Sequence, residues 1–226
     1  MSDFSAYTGW AIPEGNVVEV ADASGRMLWS SAPPFDGIIY LRPSADISVD
    51  STLTLVPADA TAAYMLINEE VSDGAATEIK ISSSFSDSGT AVFSLAGKMP
   101  NRISRVKNIQ LYVSGGKEDT NKHCDCYGYL TLGAMRANYD FRSYLLDYET
   151  TEVPLATVYD PNSGTNSITP MEVFLSEINS YIDENGTIPG FELTIEMAVE
   201  PPESGDVPKN GMKFGISQAY VVIECE

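Results

Sequence analysis

The sequence has 226 residues with 32 acidic and 13 basic side chains, which gives a formal net charge of −19 at pH 7. A surface this acidic repels phosphate backbones and anionic headgroups, so nucleic acid is excluded as a partner. The longest apolar stretches are too short for membrane insertion, and the opening MSDFSAYTGW lacks the basic and apolar segments of a signal peptide.

The first 34 residues are predicted to form a separate hairpin module, followed by one domain over residues 35–226. Two apolar runs, Val17–Val20 and Met27–Trp29, flank the turn signal Asp22–Gly25 and predict the hairpin. An isolated hairpin is marginally stable in water, so its apolar side chains need a partner surface. The candidates for this assembly contact are Trp10, Ile12, Pro13, Leu28 and Trp29.

The rest of the chain is predicted to be an all-β sandwich, because short apolar segments alternate with turn signals. The candidate strands are Ile38–Leu41, Ile47–Leu55, Ala91–Leu95, Ile109–Val113, Tyr127–Leu132, Tyr144–Tyr148, Val153–Val158, Phe191–Val199 and Ile216–Cys225. The predicted turns are Ser72–Gly74, Asp87–Gly89, Ser114–Gly116 and Asp160–Asn162, and Pro201–Asn210 is predicted to be an exposed loop.

One helix is predicted over Pro170–Glu184, where it should cap the end of the sandwich. Thr169 is suited to the N-cap, Pro170 to the first helical position and Glu172 to a capping box, while Asn185-Gly186 supplies the stop. An apolar stripe at helical spacing, expected to face the core, consists of Met171, Phe174, Leu175, Ile178 and Ile182.

The sequence predicts no catalytic, cofactor-binding or metal-binding residue, and we therefore expect a protein that is not an enzyme. His123 is the sole histidine, so a nucleophile with a histidine base is not expected, and no glycine-rich phosphate loop is present. Cys124 and Cys126 beside it lack the second pair that structural zinc sites use, and whether these thiols and Cys225 pair or bind metal stays open. The many carboxylates leave a glycoside-cleaving enzyme as a remote alternative.

The 12 tyrosines suggest a surface that binds carbohydrate. Tyr127 and Tyr129 are two residues apart, so they share one face of a strand and could form a platform for a sugar ring. The same spacing also suits ordinary core packing, and both interpretations stay open.

Several passages resemble virion structural proteins of tailed phages of Gram-positive gut bacteria. The opening AIPEGNVVEVADASGRMLWSS resembles a short N-terminal module of such proteins. The segments IIYLRPSADISV, AYMLINEEVSDGAATEIKI, TPMEVFLSEINSYIDENGTIPGFELTIEM and ISQAYVVIECE resemble the sandwich domains that follow it.

The resemblance implies a jelly-roll-like, carbohydrate-binding-module-like sandwich in a capsid decoration, head fibre or tail-associated appendage. Its implied partners are other copies of itself, other virion proteins and host-surface carbohydrate, with synthesis in the bacterial cytoplasm and final location in the virion. The alternative is a bacterial carbohydrate-binding or adhesion module. The cysteines beside His123 are not expected in the phage proteins that the chain resembles. No binding residue of those proteins is therefore assigned to this sequence.

Overall fold

The computed structural model describes residues 10–11, 19–21, 27–30, 37–83, 87–100, 103–117, 124–141, 148–160, 165–166, 170–199 and 212–226. The chain divides into two compact units, residues 1–37 and 38–226. The boundary predicted at Pro34 lies just before this division.

The smaller unit contains a three-stranded antiparallel sheet in the order β1-β2-β3. Its strands are β1 (Trp10–Ala11), β2 (Glu19–Ala21) and β3 (Met27–Ser30). The predicted hairpin corresponds to β2 and β3, and β1 adds a third strand. Val20 is in register with Trp10 on one side and with Trp29 on the other. Ile12 and Pro13 lie outside the described residues.

The described residues of the larger unit form an all-β sandwich with one α-helix, as predicted. Its described strands are β4 (Ile38–Val49), β5 (Thr54–Val56), β6 (Glu78–Ser83), β7 (Asp87–Ala96), β8 (Val106–Lys117), β9 (Cys124–Leu132), β10 (Met135–Asp140), β11 (Thr151–Val153), β12 (Leu155–Asp160), β13 (Thr165–Asn166), β14 (Glu192–Val199) and β15 (Met212–Cys225). Its helix is α1 (Pro170–Asn185).

Strand β4 belongs to both layers of the sandwich. Residues 38–41 pair with β15 in the first sheet, whose order is β11-β8-β15-β4, and β6 pairs with the other end of β15. Residues 42–49 pair with β7 in the second sheet, whose order is β4-β7-β14-β9-β10-β12-β13. The strand therefore leads the chain from one layer into the other.

The core lies between the two sheets, and alternate residues of each strand point into it. In β14, Leu193, Ile195 and Met197 are buried, whereas Glu192 and Glu196 lie on the outer face. This alternation was predicted from the sequence and is confirmed. Strand β14 packs across the core against β6 and β15.

Helix α1 packs against β8, β10 and β12, and buries Phe174, Ile178 and Ile182 as predicted. Its Asn179 side chain accepts from the backbone N–H of Val106 at 2.7 Å and donates to the carbonyl of the same residue at 3.0 Å. These two bonds satisfy the backbone at the beginning of β8. The helix ends where Gly186 has φ 71°, a conformation that favours glycine. The predicted N-cap Thr169 is outside the described residues.

Two of the predicted turns are wrong, because both lie within strands. Asp87–Gly89 begins β7, and Ser114–Gly116 lies in β8. Each glycine provides space rather than a turn. A Cβ on Gly116 would overlap the ring of Tyr148, and one on Gly89 would lie 2.6 Å from the side chain of Leu53. At the turn predicted over Ser72–Gly74, Gly74 has φ 73° and begins a short 3-10 helix that ends at Ala76.

Three of the predicted strands also need correction. The segment Val153–Val158 is interrupted at Pro154, so that β11 ends in the first sheet and β12 begins in the second. The segment Ile47–Leu55 is not continuous, because β4 ends at Val49 and β5 begins only at Thr54. The backbone N–H of Leu53 donates to Asp50 O at 3.0 Å, which closes a turn between them. In the segment predicted over 144–148, residues 144–147 lie outside the described part, and Tyr148 adopts φ 59° in a turn.

Candidate functional site

Three tyrosines from distant parts of the sequence meet on the outer face of the first sheet. Tyr40 lies on β4, Tyr220 on β15 and Tyr112 on β8, which are neighbouring strands. The flanking residues of each strand are buried, so the alternation of side chains directs the three rings outward. These flanking residues are Ile39, Leu41, Leu111, Val113, Ala219 and Val221.

The rings form an ordered stack. Tyr112 and Tyr220 are in register, with ring centroids 5.1 Å apart and planes inclined by 7°. The guanidinium of Arg42 lies over the Tyr220 ring, 4.7 Å from its centroid. Tyr40 lies 6.2 Å from Tyr220 in a tilted arrangement. At the other end, the Tyr112 hydroxyl donates to Glu152 Oε2 at 3.4 Å.

We call this surface the tyrosine row. It comprises Glu152, Tyr112, Tyr220 and Arg42 in one line across β11, β8, β15 and β4, with Tyr40 beside Tyr220. Tyr40 is 51% exposed, which makes it the most accessible aromatic ring of the row. The row therefore combines an exposed ring with one carboxylate and one guanidinium at its ends.

Hydrogen bonds hold the arginine end of the row in place. Arg42 Nη1 donates to the carbonyl of Glu69 at 2.7 Å, and Gln218 Nε2 donates to the same oxygen at 2.8 Å. Partial burial raises the pKa of Tyr112 above its ordinary value, and the neighbouring Glu152 carboxylate raises it further. Burial also raises the pKa of Tyr220, although Arg42 opposes this effect. Both hydroxyls are therefore neutral at pH 7.

The predicted pair Tyr127 and Tyr129 lies on the outer face of the second sheet, on β9. The guanidinium of Arg136 covers the Tyr129 ring at 4.3 Å, and the Tyr129 hydroxyl donates to Glu196 Oε2 at 3.0 Å. Partial burial and this bond raise the pKa of Tyr129 to about 12. One face of the ring is thus occupied by a protein group, and the role of the pair as a sugar platform stays a prediction.

A polar cluster lies beside the tyrosine row, where the neighbour of β15 changes from β6 to β4. Ser217 is an extra residue between paired positions of β15, and its hydroxyl lies 2.8 Å from that of Ser72. Ser114 Oγ donates to the carbonyl of Tyr148 at 2.6 Å, and the Tyr148 hydroxyl donates to the buried Glu78 carboxylate at 2.6 Å. These bonds satisfy buried polar groups and hold the two sheet segments together.

Two of the three cysteines have described side chains. Cys126 and Cys225 are both buried, and burial raises the pKa of the Cys225 thiol. His123 lies outside the described residues, and nothing is described of the Cys124 side chain. Within the described ranges, no group of three or more His, Cys, Asp or Glu side chains could hold a metal ion.

A shallow hollow of about 340 Å³ lies elsewhere, between α1 and the turn that joins β9 to β10. It is lined by Leu132, Gly133, Ala134, Met135, Glu177, Tyr181, Pro189 and Gly190.

The described helix is too short and too polar to cross a membrane.

No protein-family model, no curated protein and no solved structure matches this chain. Function is therefore inferred from the residues and their geometry. Sequence reasoning missed the tyrosine row, although each of its tyrosines lies in a segment that was predicted as a strand. The assembly candidates Trp10, Leu28 and Trp29 lie on β1 and β3, and their role stays a prediction.

Proposed function

We propose that the chain is a non-catalytic structural protein of a phage virion, whose sandwich binds carbohydrate on the host surface. The observation that carries the binding function is the tyrosine row. Sugar rings present apolar C–H faces that pack on aromatic rings, while their hydroxyls bond to charged and amide groups. The row offers the exposed ring of Tyr40 together with Glu152 and Arg42.

Rigidity of the row supports this function. Tyr220 lies between Tyr112 and Arg42, and Arg42 is bonded to a backbone carbonyl. Side chains that are already ordered lose little conformational entropy when a ligand binds. Binding to such a surface needs no chemical step, which suits a protein that attaches particles to cells.

The virion assignment is supported by the resemblance of the opening segment and by its two tryptophans. Trp10 and Trp29 are both in register with Val20 in the small sheet. Aromatic anchors supply much of the affinity of protein interfaces. In our proposal the small unit joins the particle or another copy, and the sandwich binds carbohydrate.

Two exposed tyrosines allow a matched test of carbohydrate binding. Tyr40 is 51% exposed in the row, and Tyr181 is 39% exposed on α1. We expect the wild-type protein and Tyr181→Ala to be retarded by at least one polysaccharide in affinity electrophoresis, and Tyr40→Ala to migrate freely. The panel is xylan, galactomannan, mixed-linkage β-glucan and cell-wall polysaccharide from Gram-positive bacteria, with hyaluronan as an anionic polymer.

Three results would contradict the proposal. If no polymer retards the wild-type protein, it does not bind carbohydrate of these classes. If reducing ends appear during incubation, the chain is a glycoside-cleaving enzyme. If Tyr40→Ala binds every polymer as wild type does but no longer assembles, the row is a protein interface.

A deletion tests the assembly part of the proposal. Removing residues 1–34 should leave a folded sandwich that still binds the polymer but no longer joins particles or oligomers. Circular dichroism measures folding, light scattering measures assembly, and affinity electrophoresis measures binding to the polymer. Continued assembly of the shortened chain, or its unfolding, would show that the segment belongs to the domain core.

A further inference from the structure

We propose that the tyrosine row binds an internal segment of a neutral, linear polysaccharide that runs across the strands of the first sheet. This inference rests on the proposed function and specifies its ligand. The row is a line of four side chains on four adjacent strands, and Tyr40 widens it at one point. A polymer aligned with that line would meet several side chains in succession.

The length of the row favours a polymer over a single sugar. Neighbouring strands lie about 4.8 Å apart, so the line from Glu152 to Arg42 spans three spacings, or about 14 Å. A single sugar ring would contact only one or two of the side chains. Contacts to all of them require several linked sugar units.

The ends of the row favour an internal segment over a chain end. Glu152 lies on β11, the edge strand of the first sheet, and Arg42 lies where β4 passes into the second sheet. Recognition of a chain end usually uses a concave pocket that surrounds it. The row is instead a stripe on a sheet face, and the 340 Å³ hollow is lined by other residues. A long polymer can therefore continue past both ends.

Charge favours a neutral polymer. The chain carries a formal charge of −19, and Glu152 places a carboxylate in the row itself. The guanidinium of Arg42 is already engaged by the Tyr220 ring and the Glu69 carbonyl. Polymers with a carboxylate or phosphate on each repeat would be repelled by this field. The hydroxyls of a neutral sugar can still donate to Glu152, and its apolar C–H face can pack on the ring of Tyr40.

The test measures affinity against oligosaccharide length by calorimetry. The probes are oligosaccharides of whichever panel polymer the wild-type protein binds, from the monosaccharide upward, each with a free or a chemically capped non-reducing end. We expect affinity to rise with length and then level off, and capping to have no effect. Hyaluronan should not compete.

A variant at one end of the row makes the test sharper. Glu152 is exposed at the sheet edge, so Glu152→Ala should lower affinity for long oligosaccharides by about tenfold, the equivalent of one strong contact. It should lower the affinity for the disaccharide much less, because a short ligand can bind at the centre of the row without contacting Glu152. The Tyr181→Ala variant serves as the control and should match wild type at every length.

The outcomes separate this inference from the proposed function. If the monosaccharide competes as well as the longest oligosaccharide, or if capping abolishes binding, the site recognises a chain end and the inference is wrong, while carbohydrate binding stands. Strong competition by hyaluronan would refute the neutral-polymer part. If no panel polymer binds, the proposed function itself fails, and this inference fails with it.

Discussion

Replacing Tyr139 by Phe is expected to stabilise the protein. Tyr139 lies on β10 and is only 1% exposed, and its hydroxyl has no hydrogen-bond partner within the described part of the chain. Burial raises the pKa of Tyr139 well above its ordinary value, as expected for a hydroxyl that has lost its water. A buried polar group without a partner opposes folding.

The size of the effect follows from the desolvation of that hydroxyl. Burying a hydroxyl without a compensating hydrogen bond costs about 1–3 kcal/mol in proteins. Phenylalanine keeps the ring and its packing and removes the oxygen. We therefore expect the free energy of unfolding to rise by about 1 kcal/mol, which for a chain of this size raises the melting temperature by about 2–4 °C.

The same chemical change at Tyr148 provides a control of opposite sign. The Tyr148 hydroxyl donates to the carboxylate of Glu78, a residue that is only 6% exposed. Hydrogen bonds to charged groups contribute about 1.5–3 kcal/mol, so Tyr148→Phe should lower the free energy of unfolding by that amount.

Urea unfolding followed by circular dichroism at pH 7 measures both variants against wild type. The midpoint should move up for Tyr139→Phe and down for Tyr148→Phe at an unchanged slope. A loss of stability in Tyr139→Phe as large as that in Tyr148→Phe would mean that the Tyr139 hydroxyl is bonded in the folded protein. The reasoning from desolvation would then be wrong.

Three further predictions use the same measurements. Gly116→Ala should lower the free energy of unfolding by about 1–3 kcal/mol, since its Cβ would overlap a tyrosine ring, whereas Gly190→Ala, which meets nothing within 4 Å, should change it little. Phe174→Ala should lower the free energy of unfolding by about 3–5 kcal/mol, and Tyr181→Ala should lower it far less. Equal urea midpoints for the two variants would show that the helix stripe does not face the core. Folding raises the pKa of Tyr129 from its ordinary value of 10.0 to about 12. The contribution of this residue to the free energy of unfolding is therefore complete below pH 10.0 and is lost as the pH rises through 12. Tyr129→Phe should flatten that part of the stability profile, and an unchanged slope would contradict the assignment.

Elements that depend on local signals could be predicted from the sequence. Helix α1 combines a stripe of helical period with a stop at Gly186, and β14 alternates apolar and polar residues along its length. Both signals lie within one segment of the chain. The turns wrongly predicted at Gly89 and Gly116 show where local signals fail. These two glycines leave space for the side chains of Leu53 and Tyr148, which are distant in sequence.

The tyrosine row could not be predicted from the sequence for the same reason, because its residues come from segments that are distant in sequence. The buried neighbours of Tyr40, Tyr112 and Tyr220 direct all three rings outward. The mostly apolar segment Ile216–Cys225 shows no alternation that predicts this direction for Tyr220. Which strands become neighbours is decided by packing of the whole sandwich, where β15 inserts between β8 and β4. Tyr127 and Tyr129 were predicted as a sugar platform because they are close in sequence. In the structure, however, the guanidinium of Arg136 covers the ring of Tyr129.

Because Tyr220 is the one member that contacts Tyr112, Arg42 and Tyr40, the row has a centre on the last strand of the chain. Removing that ring would separate the other three side chains as well as delete its own surface. The effects of Tyr220→Ala and Tyr112→Ala on binding should therefore be non-additive, since contacting residues share their interaction energy. Additive losses would mean that each ring binds the ligand independently and that the stack itself contributes nothing.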